Sequence, residues 1–293
     1  MLMPLATWVN GIANFRLING KKSYININNM KVSHELPLGL MHHAYEWNDY
    51  DYCLPHLIDQ YDQYRIFFQK SRLDKRFIIM DNGLFEGVTH TTEDLLEKIN
   101  LVRPNIFIVP DAWNDSKITL RNAKSWMINY KQHLPEEVNL MAVCQGQDIG
   151  ELITTYQILV DLGYTHIAFN HSSCAYQEMY STFAGTEPLK ASMYGRMEFI
   201  RKLVERNIIR PTYYHHLLGC SLPQEFMAYN DWKFIKSVDT SNPILVGAEG
   251  ERYNDNGISW KPKNKLEHYF EMDLSDRLDD IIFNVNKFKS YVK

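Results

Sequence analysis

Short strand-like apolar runs alternate with helical segments along most of this chain. Such alternation is the pattern of βαβ units, which place parallel strands side by side in one sheet. Because about six or seven units follow one another without a linker, a closed (β/α)8 TIM-type barrel is favoured over an open sheet. An open doubly wound sheet usually carries a GxGxxG or GxxxxGK[ST] turn, and the sequence has neither.

Turn and capping signals predict the limits of the segments. Strands are predicted at 37–45, 76–80, 105–110, 138–144, 165–169, 212–218 and 233–238. Helices are predicted at 54–71, 91–102, 117–134, 149–163, 197–209 and 223–230, with a long amphipathic helix from 275 onward. We therefore expect one domain over 1–293: an N-terminal β-hairpin around Asn19-Gly20 within 1–35, a barrel core over 36–245, and a loop and C-terminal helix over 246–293.

The composition is that of an ordinary globular chain, with 45% hydrophobic and 23% charged residues. A net charge of −4 excludes binding of nucleic acid by bulk charge, so any such contact requires a local basic patch. Clustered basic residues of this kind also form ordinary solvated helix faces. The candidates are Lys190, Arg196, Arg201, Lys202, Arg206 and Arg210 in one cluster, and Lys261, Lys263 and Lys265 in another.

The four cysteines are far apart and form no CxxC pair, which predicts reduced thiols and neither a zinc knuckle nor a redox motif. Adjacent histidines such as His215-His216 point to opposite faces of a strand, so each pair offers one metal ligand at most. We predict no metal and no cofactor. With no signal-peptide pattern and no membrane-length apolar run, the expected location is the cytoplasm, which would be the host cytoplasm for a viral protein.

Polar residues or glycine directly follow the predicted strands. In a parallel barrel these positions gather on one rim, where such enzymes keep their active sites. For any single Asp, capping of the next helix or a turn is an equally good explanation. Carboxylates crowded on one rim repel each other, however, and several together indicate function. The residues are Asp81, Asp111, Gln145, Asn170, Gly219 and Asp239.

Two carboxylates on opposite sides of a sugar ring are what glycosidic chemistry needs. One attacks the anomeric carbon, and the other handles the proton of the leaving group. Asp111 and Gln145 carry the acceptors and donors that could hold the polar edge of a purine. Spacing alone does not distinguish a sugar hydrolase from an enzyme that acts on N-glycosides.

Six short segments resemble, in order and spacing, the queuine/archaeosine tRNA-guanine transglycosylase family over about residues 75–245. The likeness is greater still to the branch of phage and bacterial enzymes that place 7-deazaguanines in DNA. MDNGLFEG, for example, resembles the family's DSGGFQ, and KSVDTSNPI resembles its nucleophile segment. The segments are MDNGLFEG (80–87), TTEDLLEKINLVRPNIFIVPD (91–111), MAVCQGQ (141–147), DLGYTHIAFNHSS (161–173), RPTYYHHLLGCSLPQEF (210–226) and KSVDTSNPI (236–244).

The resemblance implies a role for each site residue. Asp239 would be the nucleophile that attacks C1′ of the target guanosine, and Asp81 the general acid/base. Phe85 and Leu218 would sandwich the base between them. Asp111 and Gln145 would read its polar edge, while Gly219 and Asn170 would line the pocket. The implied activity replaces guanine by a 7-deazaguanine (preQ0-type) base through a covalent intermediate.

Departures from the family favour DNA over tRNA as the partner. The sequence has no cysteine after Cys220, so the zinc subdomain that grips tRNA is absent. The family's glycine pair is replaced by Asn170-His171, and ILVGAEG (244–250) stands in place of a basic stretch. A homodimer stays open, because part of the family's dimer contact lies in the missing zinc region.

Other interpretations also remain open. They are a tRNA-guanine transglycosylase without zinc, a non-catalytic partner subunit, and an unrelated TIM-barrel hydrolase, including a metal-dependent one. The segment 172–195 is predicted to be a long loop over the barrel mouth. Its aromatic residues either stack on bases or pin the loop to the barrel: Tyr176, Tyr180, Phe183 and Tyr194.

Overall fold

The computed structural model describes residues 30–292, together with two short backbone segments near the N-terminus. Those segments are the strands β1 (Arg16–Ile18) and β2 (Lys21–Ser23), which pair antiparallel as the predicted hairpin requires. The predicted turn Asn19-Gly20 lies outside the described residues.

Eight parallel strands form a nearly closed barrel, which confirms the predicted (β/α)8 TIM-type fold. Their spatial order is β3-β10-β9-β8-β7-β6-β5-β4, so β3 and β4 meet at a seam. The strands are β3 (Lys31–His34), β4 (Asp51–Cys53), β5 (Ile78–Met80), β6 (Ile106–Ile108), β7 (Asn139–Cys144), β8 (His166–Phe169), β9 (Tyr214–Leu217) and β10 (Ile235–Thr240).

Helices surround the barrel, and several begin at a residue whose side chain caps the helix; one of these caps, at Thr91, was predicted. The Thr91 hydroxyl, for example, accepts a hydrogen bond from the Asp94 backbone N–H at 3.1 Å. The α-helices are α1 (Ala44–Trp47), α2 (Pro55–Gln60), α3 (Asp62–Leu73), α4 (Thr92–Val102), α5 (Ser116–Ser125), α6 (Ile149–Asp161), α7 (Cys174–Met179), α8 (Ser181–Ala184), α9 (Pro188–Glu205), α10 (Asn242–Ala248), α11 (Leu266–Tyr269) and α12 (Leu278–Tyr291). Short 3-10 turns occupy Leu38–His43, Lys131–His133, Pro223–Tyr229 and Ser275–Arg277, and a π turn occupies Trp126–Tyr130.

The C-terminal helix α12 was predicted, and it packs against α10. A Cβ atom added at Gly247 would lie 2.6 Å from Cα of Ile281, so the two helices approach too closely for any side chain there. Across the described part of the chain, no helix combines the length and the apolar character needed to cross a bilayer.

The first barrel strand was placed wrongly. Residues 37–45 form a 3-10 turn and the start of α1, because Leu40, Ala44 and Trp47 bury one face at helical spacing. The strand is β3, which lies inside the range assigned to the hairpin. The strand β4 was missed, because it is short and begins with a charged residue.

That charge is neutralised inside the protein. Asp51, at the start of β4, is almost completely buried and accepts two hydrogen bonds from the Arg76 guanidinium, at 2.7 and 2.8 Å. The bidentate pair lets an acidic residue occupy a strand position that composition argues against.

The segment 172–195 is helical and was wrongly predicted as a loop. Tyr176 of α7 is buried against Gly195 of α9, where an added Cβ would lie 2.3 Å from the Tyr176 Cβ. The rings of Tyr180 and Phe183 pack on Tyr194, with centroid distances of 5.6 and 6.0 Å. Three helices therefore use these aromatic residues to pack on one another.

The seam between β3 and β4 is closed by side chains in place of strand pairing. The Asn48 carboxamide accepts from the His34 backbone N–H at 2.8 Å and donates to the His34 carbonyl at 2.9 Å. Asp49 makes an equivalent pair of hydrogen bonds with Val32. The Asp49 backbone N–H donates to the Val32 carbonyl at 2.9 Å, and the Asp49 carboxylate accepts from the Val32 backbone N–H at 2.9 Å. These four bonds satisfy the edge of β3, which would otherwise be exposed.

We predict that Asn48→Ala destabilises the protein, since it leaves the buried N–H and carbonyl of His34 without partners. The free energy of unfolding should fall by about 2 to 6 kcal/mol, at roughly 1 to 3 kcal/mol for each of the two buried unsatisfied groups. Urea denaturation followed by circular dichroism measures the change. Asn100→Ala on the exposed face of α4 is the matched control, and an equal loss in both variants would contradict this account of the seam.

Candidate active site

A cavity of about 300 Å³ opens at the carboxyl ends of the barrel strands. Its volume lies at the lower end of the range of about 300 to 1,000 Å³ that is usual for small-ligand sites. The cavity brings together all eight residues predicted for the site, from six different strand ends: Asp81, Phe85, Asp111, Gln145, Asn170, Leu218, Gly219 and Asp239.

Asp239 is held by donors on its own side of the barrel. The strand β10 continues through it to Thr240, beyond the predicted end at 238. Its Oδ1 lies 2.9 Å from Nε2 of His216, and the Gly219 backbone N–H donates to both carboxylate oxygens at 3.3 Å. These donors fix the orientation of the carboxylate.

A buried hydrogen-bond chain orients His216. Because a carboxylate only accepts, Nε2–H of His216 donates to Asp239 and Nδ1 accepts from the Ser237 hydroxyl at 2.8 Å. Ser237 in turn accepts from the Tyr214 hydroxyl at 2.9 Å. The preceding residue, His215, points outward to the Tyr156 hydroxyl at 3.0 Å, as strand alternation requires. Sequence reasoning used this alternation for the His pair but did not identify His216 as the partner of Asp239.

Asp81 follows β5 and is only 8% exposed. The pKa of its carboxyl is raised to about 7, mainly by burial and also by the negative charges of Asp239 and Asp111, while the Asn82 backbone N–H opposes the increase. Both protonation states are therefore populated near neutral pH. A carboxyl group in this state can donate a proton and take it back in one reaction cycle.

A network of amides surrounds Asp111. The two oxygens of Asp111 accept from Gln145 Nε2 at 2.6 Å and from Asn82 Nδ2 at 2.8 Å. Since the carboxylate accepts, the Gln145 carboxamide has a single orientation, and its Oε1 accepts from Asn170 Nδ2 at 3.0 Å. This leaves Asn170 Oδ1 as a buried acceptor without a partner among the described residues. The network thus contains one unused acceptor, on a residue that lines the cavity.

Phe85 and Leu218 contribute apolar walls. Phe85 is 44% exposed at the mouth, and its ring meets His171 edge-on at a centroid distance of 5.4 Å. Gly219 has φ +62°, and a Cβ atom there would lie 2.8 Å from His171 Nδ1. Glycine is therefore required at this turn both by the backbone conformation and by the close approach of His171.

Arg196 was predicted in a surface basic cluster, and this was wrong. It is completely buried, its Nε lies 2.6 Å from the Glu225 carboxylate, and it donates to the carbonyls of Leu218 at 2.9 Å and Gly219 at 3.1 Å. Arg196 therefore fixes the backbone of the cavity wall at Leu218 and Gly219 from the side that faces away from the cavity. Other basic residues of that cluster form ion pairs with acids: Lys190 with Glu187, Arg201 with Glu198 and Glu205, and Lys202 with Glu198.

Sequence reasoning missed further cavity residues, of which Glu35 is the clearest. Glu35 follows β3 as Asp81 follows β5, so the same strand-end signal would have found it had β3 been assigned. Burial raises the pKa of Glu35 well above its ordinary value, and the charges of Asp239 and Glu86 add to this. Burial and the Asp81 charge raise the pKa of Glu86 to about 8. Tyr52, His171 and Lys261 also line the cavity.

No group of three or more His, Cys, Asp or Glu side chains in the described part of the chain could hold a metal ion. The four cysteines form no disulfide; Cys53, Cys144 and Cys220 are buried, and Cys174 is exposed.

No model of a known protein family matches this chain, and no curated protein matches it.

We predict that Asp81→Asn stabilises the folded protein more at high pH than at low pH. Because the folded pKa is raised from 3.8 to about 7, wild-type stability is fully present below pH 4 and is lost as the pH rises towards 7. The difference in the free energy of unfolding between variant and wild type should grow over that window and then level off. Denaturation at several pH values measures it, with exposed Asp276→Asn as the control; a difference independent of pH would show that burial does not perturb Asp81.

Proposed function

We propose that this protein is a base-exchange transglycosylase that replaces guanine in DNA with a 7-deazaguanine. One observation carries the proposal: Asp239 and Asp81 come from distant parts of the chain, yet line the same cavity in complementary states. Asp239 accepts hydrogen bonds from His216 and Gly219, which suits a nucleophile. Asp81 has a raised pKa, which suits a group that gives and takes a proton.

In the first step, a carboxylate oxygen of Asp239 attacks C1′ of the target nucleotide. The C1′–N9 bond breaks with its electron pair going to guanine, and the Asp81 carboxyl gives its proton to the departing base. The product is an ester between Asp239 and C1′ together with free guanine. The transition state resembles an oxocarbenium ion, which the nearby carboxylates stabilise.

In the second step, N9 of the incoming 7-deazaguanine attacks C1′ while the Asp81 carboxylate takes the N9 proton. The ester bond breaks and Asp239 is regenerated as a carboxylate. Two displacements at one carbon give net retention of configuration. No metal or cofactor is needed for either displacement.

The cavity walls suit a flat heterocycle. Phe85 and Leu218 would cover the two faces of the base, because apolar and aromatic surfaces stabilise a π system by stacking. The Asp111–Gln145–Asn170 network would meet its polar edge, and Asn170 Oδ1 supplies an unused acceptor for an N–H donor of the base. The backbone around Gly219 would close one side.

DNA is the substrate we favour, since the six segments resemble most closely the branch of phage and bacterial enzymes that place 7-deazaguanines in DNA. A target base inside a duplex could not reach a cavity at the end of a barrel. The base must leave the stack, either by flipping or in an unpaired strand.

We predict that Asp239→Asn abolishes covalent trapping on nucleic acid and leaves the fold intact, because the amide is a far weaker nucleophile. Labelled 7-deazaguanine would be offered with a guanine-containing DNA strand and, in parallel, with tRNA. Denaturing gels then detect the adduct, and nucleoside mass analysis detects the exchanged base. The surface variant Asp231→Asn is the matched control and should behave as wild type.

Trapping that survives in Asp239→Asn would reject the assigned nucleophile. Exchange in tRNA with none in DNA would reject the choice of substrate and retain the chemistry. Absence of any exchange with either nucleic acid would reject the proposed activity.

We predict that Asn170→Ala weakens binding of the free 7-deazaguanine about fivefold, since one hydrogen bond is worth about 1 kcal/mol. Isothermal titration calorimetry of the base measures the change. Thr155→Val, which removes the hydroxyl that donates to the Gln145 carbonyl at 3.0 Å from outside the cavity, tests whether the loss merely reflects a loosened network. An equal effect in both variants would contradict direct recognition of the base by Asn170.

A further inference from the structure

Five residues between α10 and α11 lie across the mouth of the cavity, and we call them the lysine strap: Lys261, Pro262, Lys263, Asn264 and Lys265. Lys261 anchors the strap, because its ammonium donates to the Cys220 carbonyl at 3.3 Å. Lys265 donates to the Phe85 carbonyl at 3.3 Å and lies 4.9 Å from the centroid of the Phe85 ring. The strap therefore crosses from the β9 side of the cavity to the β5 side.

Basic residues of α9 form ion pairs with acidic residues, whereas the lysines of the strap form none among the described residues. Within the part of the chain that the structure describes, none of the three lysines of the strap has an acidic oxygen within 4.0 Å, whereas Arg201 and Lys202 are paired with Glu198. The protein as a whole carries a net charge of −4. Carboxyl groups of the cavity, such as Glu35 and Glu86, interact with Lys261 and Lys265 at longer range. Ammonium groups without a direct ion pair, concentrated at one opening of an acidic protein, form a local site for an anion.

Exposed aromatic rings accompany these charges. Trp113 is 41% exposed and lies 6.2 Å, centroid to centroid, from Phe85; Trp260, directly before the strap, is 39% exposed. Large exposed rings are costly in water unless a ligand covers them. Positive charge next to exposed aromatic rings is the combination with which proteins bind single-stranded nucleic acid, phosphates on the charges and bases on the rings.

We propose that the lysine strap and Trp113 hold the unpaired DNA strand on either side of the target nucleotide. The ammonium groups of Lys263 and Lys265 contact the flanking phosphates, and a neighbouring base stacks on Trp113. The inference rests on the proposed function, because a nucleotide with C1′ at Asp239 must bring its flanking phosphates out through this mouth.

The test measures how tightly the protein binds a fluorescent single-stranded oligonucleotide across a series of salt concentrations. A length of about 12 nucleotides lies within the usual site sizes of single-strand-binding proteins. Each phosphate contact on a single strand contributes about 0.7 to the slope of log K against log salt. The double variant Lys263→Gln/Lys265→Gln should lower the magnitude of that slope by about 1.4. The control Lys31→Gln/Lys233→Gln removes the same charge from exposed lysines at the opposite end of the barrel and should leave the slope within about 0.3.

Trp113→Ala separates stacking from charge. We expect it to weaken binding about 5- to 100-fold while the salt slope stays that of wild type. Equal slopes for the strap variant and its control, or no binding of wild type at low salt, would overturn the inference.

The two proposals fail in distinguishable ways. Binding that depends on the strap but gives no Asp239 adduct would reject base exchange and retain the binding surface. Adduct formation with a salt slope that the strap variant does not change would retain base exchange and reject the strap.

Discussion

The crowding of carboxyl groups in one small cavity is the constraint on which the rest of the site depends. Glu35, Asp81, Glu86, Asp111 and Asp239 all line it, and they cannot all be ionised at neutral pH in a buried space. The protein resolves the conflict by giving each acid different neighbours. Asp239 receives hydrogen bonds from nitrogen donors, whereas burial raises the pKa values of Glu35, Asp81 and Glu86. Burial also raises the pKa of Asp111, and the hydrogen bonds from Gln145 and Asn82 oppose this. Different environments thus make similar side chains suitable for different steps.

A buried ion pair also positions the backbone that lies behind the cavity. The buried Arg196 guanidinium compensates the Glu225 carboxylate and at the same time binds the carbonyls of Leu218 and Gly219. Gly219 then directs its N–H at Asp239. A charge that would be costly to bury alone is thereby used to position the wall that carries a donor to Asp239. If either Arg196 or Glu225 were replaced by an uncharged residue, the other would remain as an unpaired charge in an apolar interior.

The charge distribution also differs between the interior and the mouth. Acids dominate the interior, while the ammonium groups of the lysine strap lie at the rim. A polyanion attracted to the rim could therefore present one neutral, flat group to the acidic interior without bringing its phosphates inside. This separation of charge favours a nucleotide within a strand over a small anionic metabolite.

The sequence by itself determined the repeating βα pattern, the helix starts at capping residues, and the strand-end positions of Asp81, Asp111, Gln145 and Asn170. These are local properties, since a capping hydroxyl or an apolar run of strand length acts through its immediate neighbours. Only the tertiary structure decided that Lys31–His34 and Asp51–Cys53 are strands, because Asn48 and Asp49 satisfy the edge of the first and Arg76 neutralises Asp51 in the second. It also decided that Arg196 is buried, that His216 faces Asp239, and that residues 261–265 cross the cavity. Contacts between distant segments depend on how the closed barrel brings them together, and a linear pattern of apolar and polar residues does not contain that information.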